Sequence, residues 1–241
     1  MSSPAFTPAL HAEWIKIRTL RAQIGALAAL PLATVAFSAL AGLDDGGGDA
    51  LFSAFFGVTL GQIAAIAFGT TAVSAEFRAG ALRLSLAAVP RRGRWFAAKL
   101  TAIGLPVFAV GLVTGPAALT VAAATAGPGE QAATPAEWVR GTVGCALYLT
   151  LMALLAAGLT TVLRSGVGTL SILVPFLLIV SFVIGDVNGN AADLLPDRAG
   201  QVVLHSGWDG LLGPWAGLAV TALWTAAAVA AGAWRVRVRD A

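Results

Sequence analysis

The sequence predicts an all-α polytopic membrane protein: six transmembrane helices, an N-terminal amphipathic interfacial helix, and short re-entrant helices between spans five and six. Three observations predict it. Of the 241 residues, 58% are hydrophobic and only 11% are charged, less than half the share of about 25% that coats a water-soluble domain. The mean hydropathy is +0.83. Six stretches lack any Asp, Glu, Lys, Arg or His: Ala22 to Leu43, Leu51 to Ala75, Leu100 to Ala126, Val143 to Leu163, Gly166 to Ile184 and Leu211 to Trp234. Each holds about 19 to 27 residues, or about 28 to 40 Å of helix, enough for a hydrocarbon core of about 30 Å. The uniform apolar composition predicts one transmembrane domain over residues 1–241 and excludes a large soluble catalytic domain.

In chain order, Phe6, Leu10, Trp14 and Ile17 recur at helical spacing while His11, Lys16 and Arg18 turn elsewhere. That pattern predicts an amphipathic helix on the inner membrane surface. The first span is too long for a signal-peptide core, and acidic Asp44 and Asp45 follow it instead of a cleavage site, so it is read as retained. The second span carries Gly57, Gly61, Ala65 and Gly69 four residues apart, a small-residue face suited to close helix packing. Phe52, Phe55, Thr59, Gln62, Ile66 and Thr70 fall on the opposite face.

The loop from Glu76 to Lys99 has Leu82, Leu86 and Val89 on one side of a short predicted helix, ended by Pro90 and followed by Arg91, Arg92 and Arg94. Pro106 in the third span and Pro175 in the fifth each remove a helical N–H donor, so both helices are expected to kink. Only Arg164 and Ser165 separate spans four and five. A tight turn there keeps the arginine out of the hydrocarbon, where it would cost several kcal/mol. Between Asp186 and Gly210, Leu194, Leu195, Pro196, Val202, Val203, Leu204 and Trp208 suggest short helices that re-enter the outer leaflet. Pro214 falls in the first turn of the last span, where proline is tolerated.

Charge orients these spans. The N-terminus, the 76–99 loop, the Arg164 turn and the C-terminus fall on one side and carry thirteen of the 15 lysines and arginines; Arg140 and Arg198 alone fall on the other. Both termini are therefore expected in the cytoplasm, with the chain multi-pass in the plasma membrane. The basic residues sit in short connections, which argues against nucleic acid as a partner and makes the lipid bilayer the expected one. The single cysteine, Cys145, has no mate for a disulfide.

Catalytic signatures are missing from the sequence. Neither Lys16 nor Lys99 follows a glycine-rich phosphate loop. His11 and His205 lie far apart and on opposite predicted sides, which disfavours a paired-histidine zinc site. The spans contain no acids for intramembrane aspartyl chemistry, and a membrane serine protease would need a serine and a histidine at one depth, whereas Ser165 with Gly166 is expected on the cytoplasmic face and His205 with Ser206 on the outer one. No enzyme activity is expected of this chain.

Glu76 at the end of the second span, Gly80 four residues later, a Leu/Arg-rich short helix and then Pro90 and Arg91 form a recurring order. Together with the N-terminal run Glu13-Trp14-Ile15-Lys16-Ile17-Arg18-Thr19, it resembles the inner-membrane permease subunits of type-2 ABC exporters. Ala81 departs from the threonine common in that family. The resemblance implies a coupling helix around Arg78 to Val89, seated in a cleft of a separate ABC ATPase subunit, with Glu76, Arg78, Gly80, Arg83, Leu86, Pro90, Arg91 and Arg92 as coupling residues. It further implies a second permease copy, most simply an identical one. ATP and Mg would sit on the partner ATPase, and this chain would bind no cofactor. Phe55, Thr59 and Gln62 would line a pathway for an apolar or amphipathic substrate such as a drug, antibiotic, peptide or lipid. The alternative is a non-transporting membrane scaffold or immunity component that binds a partner.

Overall fold

The computed structural model describes residues 6–41, 49–77, 81–82, 85, 91–125, 133–180, 183, 192–207 and 210–239. Among these it is all helical. Helix α1 (Phe6–Thr19) meets α2 (Arg21–Ala41) at an elbow on Leu20; then come α3 (Ala50–Phe55) and α4 (Val58–Ser74), which ends in a tighter turn over Ala75–Phe77. The long helices α5 (Arg92–Thr125) and α6 (Pro135–Leu163) follow. After them come α7 (Gly166–Pro175), the short α8 (Pro196–Gln201) and the last helix, α9 (Pro214–Arg239).

Among the described residues, five helical segments are long and apolar enough to cross a membrane: Arg21–Ala41, Leu51–Phe77, Arg92–Thr125, Pro135–Leu163 and Pro214–Val238. The chain is thus a multi-pass membrane protein by length and composition. The fifth predicted stretch is shorter here, with apolar helix over Gly166–Ile179. Its α-helical pattern ends at Pro175 and gives way to a wider π-type turn over Phe176–Val180. Pro175 has no N–H to continue the ladder, so the change of pitch falls at the residue that forces it. By contrast, α5 runs through both Pro106 and Pro116 as one helix.

Two helices begin earlier than their apolar stretches. Helix α6 starts at Pro135 instead of near Val143 because Thr134 and Glu137 form a reciprocal capping box and Pro135 supplies a preset first turn. Helix α5 starts at Arg92 instead of Leu100, carrying Trp95 and Lys99 within it. At α6, hydropathy marks where the helix can be apolar, and capping chemistry decides where it begins. Between α6 and α7, Arg164 adopts φ 56° and ψ 21°, and Ser165 caps α7 by accepting from Gly168 N at 3.1 Å. That is the tight turn expected between these two stretches.

Helix α6 is the central post, packed against α4, α5, α7 and α9. Of its most apolar window 61% is buried within the chain, against 17% for α2 and 28% for α9, which form the outer walls. Tyr148, Leu149 and Met152 of α6 are fully buried at the centre of the core. The short α8 is pinned to α9: Thr221 Oγ1 donates to the Pro196 carbonyl at 2.8 Å, and Trp224 Nε1 to the Leu194 carbonyl at 3.0 Å.

The small face of the second span serves two neighbours. A Cβ on Gly57 would lie 1.9 Å from the Thr34 carbonyl oxygen of α2, and one on Gly69 would lie 2.1 Å from the Ala153 carbonyl oxygen of α6. The approach at Gly57 coincides with the break between α3 and α4, where Gly57 N donates to Ser38 Oγ of α2 at 3.2 Å. Lipid offers little hydrophobic drive between helices, so close backbone contact of this kind supplies much of the association energy. Gly69→Ala is expected to cost about 1 to 3 kcal/mol, because a carbonyl cannot swing aside as a side chain can. Gly25→Ala, with nothing within 4 Å of the new methyl, is expected to stay within about 0.5 kcal/mol of the parent. Unfolding in detergent with both variants measures the difference.

Candidate functional site

At the arginine-rich end of the molecule, four charged side chains from three parts of the chain meet in a buried cluster. Helix α1 contributes Glu13 and Lys16, the turn after α4 contributes Glu76, and α5 contributes Lys99. Lys16 Nζ donates to Glu13 Oε1 at 2.9 Å and to Glu76 Oε1 at 2.7 Å. Lys99 Nζ donates to the same Glu76 oxygen at 2.7 Å, to Glu13 Oε2, and to the Ala72 carbonyl at 3.4 Å. Ser85, in the 76–99 loop, donates its hydroxyl to Glu76 Oε2 at 2.8 Å.

Glu13 is 4% exposed, and Glu76 and Lys99 are 3% exposed. Two carboxylates and two ammonium groups cancel, and every carboxylate oxygen in the cluster accepts at least one hydrogen bond. That satisfaction makes burial tolerable, because an unpaired ion there would retain a desolvation penalty of several kcal/mol. Burial alone would depress Lys16, but its hydrogen bonds to Glu76 and Glu13 hold it above the ordinary lysine value. An apolar group of Leu82, Trp95, Phe96 and Val236 lies alongside, with the Trp95 ring centroid 5.9 Å from Lys99 Nζ. Arg92 donates to the Val236 and Arg237 carbonyls at 3.2 and 3.1 Å, joining the start of α5 to the end of α9.

This arrangement corrects the sequence reading in one respect, the face of α1 that turns inward. Helix α1 buries Ala9, Glu13 and Ile17, while Trp14 is exposed; its inner stripe is shifted from the Phe6-Leu10-Trp14 face and contains an acid. Buried ionisable groups therefore do occur, gathered where the spans end. The signal was legible in outline: Glu13 lies four residues from both Ala9 and Ile17, so a glutamate interrupts an apolar stripe.

Of the expected coupling residues, Glu76 is at the centre of the cluster. Arg91 is exposed just before α5, and its carbonyl accepts from Arg94 N and Trp95 N. Arg92 is half-buried against α9. Arg78, Gly80, Arg83, Leu86 and Pro90 lie outside the described residues, as does most of the short helix expected there. Of the expected pathway residues, Phe55 and Gln62 are buried within the chain and Thr59 is half-buried. Gln62 Oε1 accepts from Tyr148 OH, which in turn accepts from Gln201 Nε2 at 3.1 Å. This chain of side-chain bonds joins α4, α6 and α8. Sequence reading missed Tyr148 and Gln201 because nothing local couples positions so far apart.

A second polar group ties α3 to the segment before the last span. Asp49 caps α3 by accepting from Leu51 N and Phe52 N, each at 3.1 Å. It also accepts from Ser206 N at 2.9 Å, Ser206 Oγ at 2.5 Å and His205 Nδ1 at 3.1 Å. The His205 ring stacks on Phe52 at 4.2 Å between centroids, and Arg140 donates to the His205 carbonyl at 2.6 Å. The Ser206 hydroxyl donates to the Asp49 carboxylate, so the three side chains tie the two segments together.

Together the fold and these sites define an all-helical multi-pass membrane protein knotted by buried polar links near its helix ends. No family model and no curated protein matches the sequence.

Two predictions follow from the polar links. Lys99→Met leaves two buried carboxylates to share Lys16 as their one counter-ion and is expected to cost about 3 to 5 kcal/mol; adding Glu13→Gln should recover part of that loss. Thermal unfolding of both variants in detergent measures it. In the Asp49 knot, burial alone would raise the carboxyl, but the Ser206 and Phe52 hydrogen bonds hold it below the ordinary carboxylate value. Burial also lowers His205, against the pull of Asp49. A depressed folded-state value means that the stabilisation is present above the ordinary value and lost as pH falls through the depressed one. Acid should therefore loosen the knot on both counts. Asp49→Asn is expected to lose about 1 to 3 kcal/mol at neutral pH, with the gap to the parent narrowing below about pH 4. A pH series of unfolding midpoints checks this.

Proposed function

We propose that the chain is the membrane-spanning permease subunit of an ATP-driven ABC exporter, moving an apolar or amphipathic substrate out of the cell while a separate subunit hydrolyses ATP. Six spans, both termini in the cytoplasm, and re-entry of the α8 region into the outer leaflet belong to this reading. So do a second permease copy and an ABC ATPase subunit in trans, with ATP and Mg held by that ATPase.

The observation that supports it best is the buried Glu13–Lys16–Glu76–Lys99 cluster. A loop that transmits force from an external motor needs stiff anchorage to the spans it moves. Glu76 and Lys99 stand at the two ends of the 76–99 loop, Ser85 within the loop bonds Glu76, and α1 is bound to both ends. A push on the loop would reach α1, α4 and α5 as a unit. Phe55, Thr59 and Gln62 are the proposed pathway residues; Thr59 is open enough to meet a substrate directly, whereas Phe55 of α3 and Gln62 of α4 would be reached only when α3 and α4 part from α6.

The closed packing of Phe55 and Gln62 favours a second reading, a membrane scaffold or immunity component that binds a partner without passing cargo. Cargo-stimulated ATP hydrolysis in reconstituted vesicles separates the two. For the coupling role, charge reversal at Arg78, Arg83 and Arg91 together is expected to abolish co-purification of a nucleotide-binding partner while the permease still reaches the membrane. Undiminished association would remove the coupling assignment.

A further inference from the structure

A groove of about 440 Å³ opens between α1, α2 and α5, outside both polar sites described above. Its floor is apolar: Ile24, Leu27 and Pro31 on α2 face Val110 on α5. From Ile24 to Pro31 the helix advances about 10 Å, so the floor is a slot running along the span. Its mouth is different in kind. Arg18 and Trp14 of α1 form it, and both are exposed.

Charge at the mouth is unbalanced. Lys16, on the same helix, is neutralised by Glu13 and Glu76. Among the described residues no carboxylate pairs with Arg18, nor with exposed Arg21 across the elbow. An amphipathic molecule with an anionic head and an apolar tail matches this polarity along the groove. Arginine engages phosphate oxygens through paired N–H donors, and an exposed tryptophan suits the headgroup level of a bilayer. The groove also belongs to α2, the least buried of the membrane-length helices, where lipid has direct access. A two-fold contact between copies through this surface would bring the same arginines together and is disfavoured by like charge.

We propose that the groove between α1, α2 and α5 binds one anionic phospholipid, with its phosphate on the Arg18 guanidinium and an acyl chain along Leu27, Pro31 and Val110. The site is independent of any transport role, because it would hold α1 against α2 in a scaffold equally well.

The test uses the full chain in detergent, equilibrated with equal amounts of phosphatidylglycerol and phosphatidylcholine and read by native mass spectrometry. One retained phosphatidylglycerol is expected, preferred by about fivefold, the factor given by about 1 kcal/mol per basic residue near an anionic headgroup. Arg18→Gln should bring the preference to about unity, while Arg237→Gln, on an exposed arginine at the other end of the chain, should leave it unchanged. Ala28→Trp fills the groove from an exposed position that does not disturb the core, and should reduce retention of both lipids. Millimolar inorganic phosphate should not displace the lipid. Preference surviving Arg18→Gln, equal loss in Arg237→Gln, unchanged retention in Ala28→Trp, or displacement by phosphate alone would each overturn the proposal.

Discussion

The constraint on which the arginine-rich end depends is electrostatic neutrality inside a nearly water-free space. Glu13, Glu76 and Lys99 are buried there and tolerated only together, while Lys16 reaches in from a side chain that keeps partial contact with solvent; each of the four ions lies against two of opposite sign. Coulomb attraction is long-ranged compared with packing, but hydrogen-bond geometry is not. Satisfying both fixes α1, the end of α4 and the start of α5 at one point. The Ser85 hydroxyl then brings the intervening loop to the same carboxylate. Removing Glu13, Glu76 or Lys99 leaves the remaining buried ions one counter-charge short, so the cluster behaves as a unit.

The remainder of the molecule is organised by close packing around α6. Carbonyl oxygens of α2 and α6 approach Gly57, just before α4, and Gly69 within it so nearly that no side chain fits. At that spacing the few polar side chains in the interior can find each other, and Tyr148 bridges Gln62 and Gln201. The Asp49 knot does the same work at α3, where a cap, a stacked ring and a bound serine converge on one carboxylate. Rigid posts joined at their ends by polar links would let force applied at one end move whole helices without bending them. In the exporter reading, that is how a partner ATPase would act on the spans; in the scaffold reading, the same links would only hold a surface for display.

Much of the fold was legible because it follows from local free energies. A run of apolar residues long enough for the hydrocarbon core declares a helix without regard to its neighbours, and five of the six such runs are membrane-length helices among the described residues. The turn at Arg164 was legible for the same reason. Helices α5 and α6 run beyond their apolar stretches, and at α6 the cap shows why: Thr134 and Glu137 start the helix two turns before the apolar residues do. Pro175 announced a disturbance, and the structure shows its form, a π-type turn over Phe176–Val180. Glu76 was picked out from a pattern, while its partners Lys99, Lys16 and Glu13 went unrecognised as a group.

By itself the sequence determined that the chain is helical, apolar and punctuated by basic connections, because transfer and helix energies add residue by residue along it. Only the tertiary structure decided that Glu13 faces inward, that Gln62 meets Tyr148, and that α2 and α9 stand at the outside. Those outcomes depend on distances between residues tens of positions apart, and a pairing energy exists only once packing has closed that distance.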